Sequence, residues 1–253
     1  MKTTLLTGIL AFCAAAQTPT EPPLLIQSIR TPGTDARALR PYSDAGAGVN
    51  VFGMTSITGV PETWQIEAHD SFGGIEALDR AIGSIAPAGG PQDDVLAPAT
   101  TLIALYREDW SFRPDIAIKM LPRARYLYVS IHRIRPGTEL DFADLARVRR
   151  LVLDRINLEM PDIAYQVISG APSGTYVFLA PLASLRTLDE GLARGRVGGE
   201  PAAGHGEKAS KIVAATEISH ENLLLRVDPR ISYVSDEFAA ADPEFWRPKP
   251  REQ

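Results

Sequence analysis

The sequence predicts an α+β protein made of two copies of one β-α-β-β-α-β unit, and three observations predict it. First, short motifs recur in the same order in both halves. Ile29-Arg30-Thr31-Pro32-Gly33-Thr34-Asp35 returns as Ile134-Arg135-Pro136-Gly137-Thr138-Glu139. "ITGVPETW" at 57–64 returns as "ISGAPSGTY" at 168–176, and "SFGGIE" at 71–76 returns as "SLRTLD" at 184–189. The offsets are about 105 to 113 residues, and matches that stay in register argue for an internal duplication. Second, an apolar alternating run precedes each Pro-Gly, Leu24 to Ile29 and Tyr126 to Ile134. That is strand patterning. Third, each half then offers two strand-like runs around a Gly- and Pro-containing turn, followed by an apolar stripe at helical spacing.

The elements follow in order. Pro-Gly ends the first strand of each half. In the second half Thr138, with Asp141 three residues on, resembles a capping box. Phe142, Leu145, Val148, Val152 and Ile156 recur at helical spacing behind it, which predicts a helix over 139–160. In the first half only about fifteen residues separate Gly33 from Val49, and Pro41 interrupts them, so the first helix there is short or lost. Hairpins are predicted from 49–58 with 63–69, and from 163–169 with 175–180. Ser71 and Ser184 are placed to cap the next helices, whose stripes are Phe72, Ile75, Leu78, Ile82 and Leu185, Leu188, Leu192. Final strands are expected at 102–107 and 231–235. The segment 87–99 reads as a loop, 195–206 as a Gly-rich insertion, and 207–226 as a helix.

The chain has 253 residues and a formal net charge of −5. An acidic balance argues against nucleic acid as a partner, because such binding neutralises phosphates with Lys and Arg. The start, "MKTTLLTGILAFCAAAQ", has a basic Lys2, a short apolar run from Leu5 to Ala15, and Ala14-Ala15-Ala16. This reads as a cleavable signal peptide over 1–16, cut after Ala16, and predicts a secreted or periplasmic protein. The run is too short to span a bilayer, so no stable membrane insertion is expected after cleavage. Cys13 is the single cysteine and lies inside the run. The mature chain would then have no disulfide, no thiolate nucleophile and no cysteine-ligated metal. The domain reading is 17–118 for the first half and 119–253 for the second, with the insertion and a C-terminal tail. A monomer or a weak homo-oligomer is expected.

The β-α-β-β-α-β order, the strand ending in "RIRPGTE" (133–139) and the hairpin ending in "DSFGGIEALDRA" (70–81) resemble the dimeric α/β-barrel superfamily of ferredoxin-like proteins. Within it the resemblance is to NIPSNAP-like and antibiotic-biosynthesis-monooxygenase-like proteins, and to uncharacterised secreted bacterial proteins of about this length. It covers most of residues 24–235. It implies that two ferredoxin-like sheets pack face to face around a cavity, here within one chain as an intrachain pseudo-dimeric barrel. Some members are cofactor-free monooxygenases and some bind haem. No catalytic motif of those members is present, so no catalytic residue is carried over.

Candidate residues come from comparing the paired strands. With Thr63 set against Thr175, one hairpin face is Trp64, Ile66, Ala68 against Tyr176, Phe178, Ala180, apolar in both halves. The other is Gln65, Glu67, His69 against Val177, Leu179, Pro181, polar in one half alone. The face that stays apolar is expected to meet helices, and the face that diverges to line the cavity. In 126–134, Leu127, Val129 and Ile131 are expected under helices, with Tyr126, Tyr128, Ser130 and His132 towards the cavity. Aligning Ile29 with Ile134 sets Gln27 against His132. The expected cavity residues are thus Gln27, Gln65, Glu67, His69, Tyr126, Tyr128, Ser130 and His132. His69, His132, Tyr128 and Glu67 are the candidates for acid–base work, since imidazole exchanges protons near neutral pH. A polar strand face also commonly meets solvent.

No G-x-G-x-x-G, G-x-x-x-x-G-K-[ST], H-E-x-x-H or G-x-S-x-G motif occurs. No metal-binding set is read from the sequence, and no cofactor is predicted, with haem a weak alternative. The functional expectation is a small-molecule cavity for an apolar or aromatic compound. The alternative is a cofactor-free monooxygenase- or oxidase-like enzyme acting on a small aromatic substrate.

Overall fold

A computed structural model describes residues 20–33, 50–83, 99–155, 159–193 and 206–247. The expected signal peptide, the reduced first helix, nearly all of the 87–99 loop and residues 195–205 lie outside the described residues. Eight strands form one closed antiparallel barrel. They are β1 (Leu25–Pro32), β2 (Val51–Ser56), β3 (Glu62–His69), β4 (Thr100–Tyr106), β5 (Tyr126–Ile134), β6 (Ile163–Ser169), β7 (Thr175–Leu182) and β8 (Glu217–Val227). Around the barrel the order is β1-β3-β2-β8-β5-β7-β6-β4. Cut at its two seams, this gives β4-β1-β3-β2 and β8-β5-β7-β6. The two halves therefore have the same order, fourth-first-third-second, and each is a ferredoxin-like unit. The seams are β2 with β8, where Met54 faces Val227, and β4 with β6, where Tyr106 faces Tyr165.

The turns form for the reasons read in the sequence. Gly33 and Gly137 take φ of +83° and +87°, and Gly170 and Gly174 take +85° and +77°, a region that residues with a Cβ avoid. Ser71 Oγ accepts a hydrogen bond from the Gly74 amide, capping α1 (Phe72–Gly83). Ser184 Oγ accepts from the Arg186 amide at the start of α4 (Arg186–Ala193).

Three element expectations are corrected. α3 is Glu139–Arg155, and its buried residues are Phe142, Ala143 and Ala146, not the Leu145–Val148–Val152 stripe. Thr138 does not form a capping box: its Oγ1 donates back to the Arg135 carbonyl. Second, the helix expected over 207–226 stops early. α5 is Gly206–Thr216, and β8 begins at once. Third, the last strand of the second half is β8 and not 231–235, where a short turn (Pro229–Ile231) and a single bridge from Tyr233 to Val51 are found.

The face assignment is inverted. Trp64 and Ile66 of β3 point into the barrel with Ile26, Phe52 and Met54, and meet Leu127, Val129, Val177, Leu179, Leu223 and Leu225 from the second half in one core. Tyr176 and Phe178 point outward and pack under α3 with Ala164, Phe142 and Trp110. Aligning Thr63 with Thr175 had placed residues of opposite parity side by side. The interior is filled by side chains, and a cavity of about 80 Å³ lies among them. That is well short of the roughly 300–1,000 Å³ of ligand pockets.

Both mouths of the barrel are plugged. At one, Arg30 forms a bidentate pair with Glu62 and lies 4.4 Å from the Trp64 ring, whose Nε1 donates to Glu62. At the other, α2 (Pro114–Met120), α6 (Asp236–Ala239) and α7 (Pro243–Trp246) bring Ile118, Phe238 and Trp246 onto Phe52. Phe52, Phe238 and Trp246 meet edge-on at 5.3–5.6 Å. Trp246 Nε1 donates to the Pro122 carbonyl at 2.7 Å.

Candidate functional site

The outer face of the first half carries an unusual layer. Gln27 on β1 stands opposite Glu67 on β3, with Gln65 and His69 on the same face. Glu67 has no solvent exposure, Gln65 is 3% and His69 4% exposed. His69 Nε2 lies 3.2 Å from Glu67 Oε2, with both side chains about 1% exposed. Gln27 Oε1 is buried without a hydrogen-bond partner among the described residues. α1 passes over this layer. The Gly74 backbone sits beside His69, where a Cβ would come 3.6 Å from Nδ1. α1 packs through Leu78, its one buried residue, and the half-buried Ile82 against Val51 and Tyr233, while Phe72 stays 59% exposed.

The equivalent layer of the second half is built differently. Tyr176, Phe178 and Ala164 pack against α3 as a dry aromatic core. Burying a carboxylate, an imidazole and two amides where the duplicated unit buries aromatics costs stability. Perturbed or buried ionisable groups of this kind concentrate at functional sites.

Of the expected cavity residues, Gln27, Gln65, Glu67 and His69 come together, under α1. Tyr126, Tyr128, Ser130 and His132 come together elsewhere, on the outer face of the second half. The barrel core separates the two sets, so they do not share one space. Burial raises the Tyr128 hydroxyl pKa above its usual value. His132 Nδ1 lies 2.5 Å from Glu217 Oε1, and its ring stacks on His220 at 4.1 Å. His220 is exposed at its edge, but partial burial first, and the charge of His132 second, lower its pKa. Glu217 and His220 were missed in the sequence because 207–226 read as helix. Alternation of Leu223, Leu225 and Val227 is the strand signal, and Leu224 masks it.

A groove of about 590 Å³ lies at the end of the sheet where Leu25 faces His69. Glu21, Asp70, Glu108 and Asp115 line it beside Tyr106. Burial, then Glu108, raise the Tyr106 pKa.

Haem does not fit His132 or His69 as they stand. Phe142 and Phe178 pack on the His132 ring at 5.7 and 5.2 Å, and His220 covers a face. His69 is enclosed with Glu67. Among the described residues neither histidine adjoins a slot for a macrocycle.

No family model and no curated protein matches this chain. Solved structures do. An anthrone oxidase-like protein superposes with a TM-score of 0.51 at 10% identity, over 80% of this chain and 90% of that one. A monooxygenase-like protein of Lactobacillus acidophilus gives 0.46 at 9%, over 81% and 94%. A chlorite dismutase variant of Candidatus Nitrospira defluvii gives 0.46 at 9%, over 83% and 93%. The likeness to the anthrone oxidase-like protein is one of fold, and it agrees with the strand order: two ferredoxin-like halves closed into a single α+β barrel.

Proposed function

We infer that this protein is an oxidase-like enzyme that works without a cofactor, using Glu67 and His69 for proton transfer on a small neutral aromatic substrate. One observation carries the reading. Where the second half buries Tyr176 and Phe178, the first buries a carboxylate hydrogen-bonded to an imidazole, beneath a helix with a single fully buried side chain. The carboxylate orients the ring and offsets the charge it gains on taking a proton. The substrate's activated C–H or O–H supplies that proton, and the resulting anion passes electrons to dioxygen. For a methylene flanked by aromatic rings the balance is R₂CH₂ + O₂ → R₂C=O + H₂O. The groove at that end of the sheet, lined by Asp70 next to His69 in the chain, is acidic, which disfavours anionic substrates and favours neutral ones. The signal-like N-terminus supports action outside the cytoplasm. The anthrone oxidase-like neighbour supports the substrate class.

Oxygen uptake with anthrone-type compounds tests this. Glu67→Gln should lower kcat by about 10²–10⁴-fold, the usual worth of a positioned acid–base group. The near-ultraviolet circular dichroism should be unchanged. Equal turnover by wild type, Glu67→Gln and His69→Asn would overturn the reading, as would no turnover by the wild type.

A further inference from the structure

A second grouping stands on the other half, at the junction of β5 and β8, and the oxidase reading does not use it. His132 and His220 are direct partners across the strand pair. Glu217 is three residues before His220, so regular alternation would send the two to opposite faces. A bulge prevents this. Arg133 pairs with Ser219 but Ile134 pairs with Glu217, which leaves Ile218 without a partner. Glu217 is thereby turned to the outer face, beside His132. Bulges re-aim side chains in this way and are over-represented next to functional sites. One donor atom from each of His132, Glu217 and His220 then lies within 4.8 Å of the other two.

We propose that His132, Glu217 and His220 bind one divalent transition-metal ion of the zinc class, with a remaining position open to solvent. Two imidazoles and a carboxylate are a donor set that zinc takes with bonds of about 2.0–2.2 Å, leaving a position free. Such bonds set donor atoms roughly 3.4 Å apart. Binding therefore requires the 2.5 Å contact between His132 Nδ1 and Glu217 Oε1 to open towards that separation. Calcium and magnesium prefer all-oxygen donors and are disfavoured. A supporting chain is in place behind the ligand. Asn222 lies two residues from His220 on the same face of β8, and Asn222 Oδ1 accepts from Ser130 Oγ at 2.7 Å. Partners of this kind hold ligating histidines in orientation.

The test uses the full chain, titrated calorimetrically with Zn(II) and followed optically with Co(II). One equivalent of Zn(II) should bind, and Co(II) should show the visible absorption of a nitrogen-containing, low-coordinate site. His220→Ala should weaken Zn(II) binding by at least tenfold, and Asn222→Ala by about tenfold, as expected for loss of an orienting partner. His220 is exposed, so a metal-free melting curve of His220→Ala should match the wild type and separate lost binding from lost fold. Three results would overturn the proposal: no Zn(II) binding, undiminished binding by His220→Ala, or Mg(II) and Ca(II) binding as tightly as Zn(II).

Discussion

At Gly53 there is no room for one methyl group. A Cβ built there would lie 2.2 Å from the Ile231 carbonyl oxygen, because the 228–233 segment crosses β2 at this point. Gly53 and Ser232 are tied by a hydrogen bond of 2.9 Å. Backbone cannot move aside as a side chain can, so Gly53→Ala should cost at least the ~1–3 kcal/mol typical of overpacking, read as a lower urea midpoint. Asp228 anchors the same segment. The Arg230 guanidinium and amide hold its carboxyl below the usual carboxylate range, against the opposing effect of burial. The folded state thus favours the charged form. The stabilisation is complete above the unfolded pKa of about 3.9 and is lost as pH falls through the lower folded value. Asp228→Asn should therefore flatten the acid side of the stability profile below about pH 4, measured by urea unfolding from pH 6 to pH 2. Single residues were also where the sequence misled. Residues 63–67 of β3 are all buried, so alternation marks two faces but cannot say which is interior. Trp64 and His69 were sorted by their chemistry, and the barrel chose the opposite sides.

Elements were more legible where turn chemistry bounds them. Seven of the eight strands begin or end within a few residues of the positions that Pro, Gly and alternation predict. β8 was not legible. Its opening residues, 217–222, are polar or exposed, and alternation becomes regular only from Leu223 onward. Its bulge at Ile218 has no sequence signature, yet it decides which face Glu217 occupies. Deleting Ile218 should restore a regular ladder with Glu217 two residues before His220, which keeps Glu217 on the outer face beside His132. The ¹⁵N shift of His132 Nδ1 reports this directly: the deletion should keep the signature of a carboxylate-bonded N–H, while Glu217→Gln should lose it.

Across the whole molecule the duplication was readable, because repeated motifs kept their order. The plugs were not, because Phe238 and Trp246 lie beyond the repeats and meet Phe52 and Pro122 only in the folded barrel. Trp246→Ala should destabilise by about 3–5 kcal/mol, as large-to-small changes of buried aromatics do, seen as a lower melting temperature. The proposed export belongs to this scale too. Protein recovered from its native host should begin at Gln17 on N-terminal sequencing, and an intact Met1 would contradict the signal-peptide reading.

The β2–β8 seam has a consequence for how the chain comes into being. It pairs residues 54–56 with 225–227, so the barrel closes only when nearly all of the polypeptide has been made. Until then β2 is an open edge, and the apolar face holding Phe52, Met54 and Trp64 has no opposing sheet. Folding governed by such distant pairings is slow, and an unpaired edge beside exposed apolar surface invites association between nascent chains. Refolding yield should accordingly fall as protein concentration rises. A circular permutant that starts at β8, with the original ends joined, would bring the seam strands close in sequence and should recover that yield.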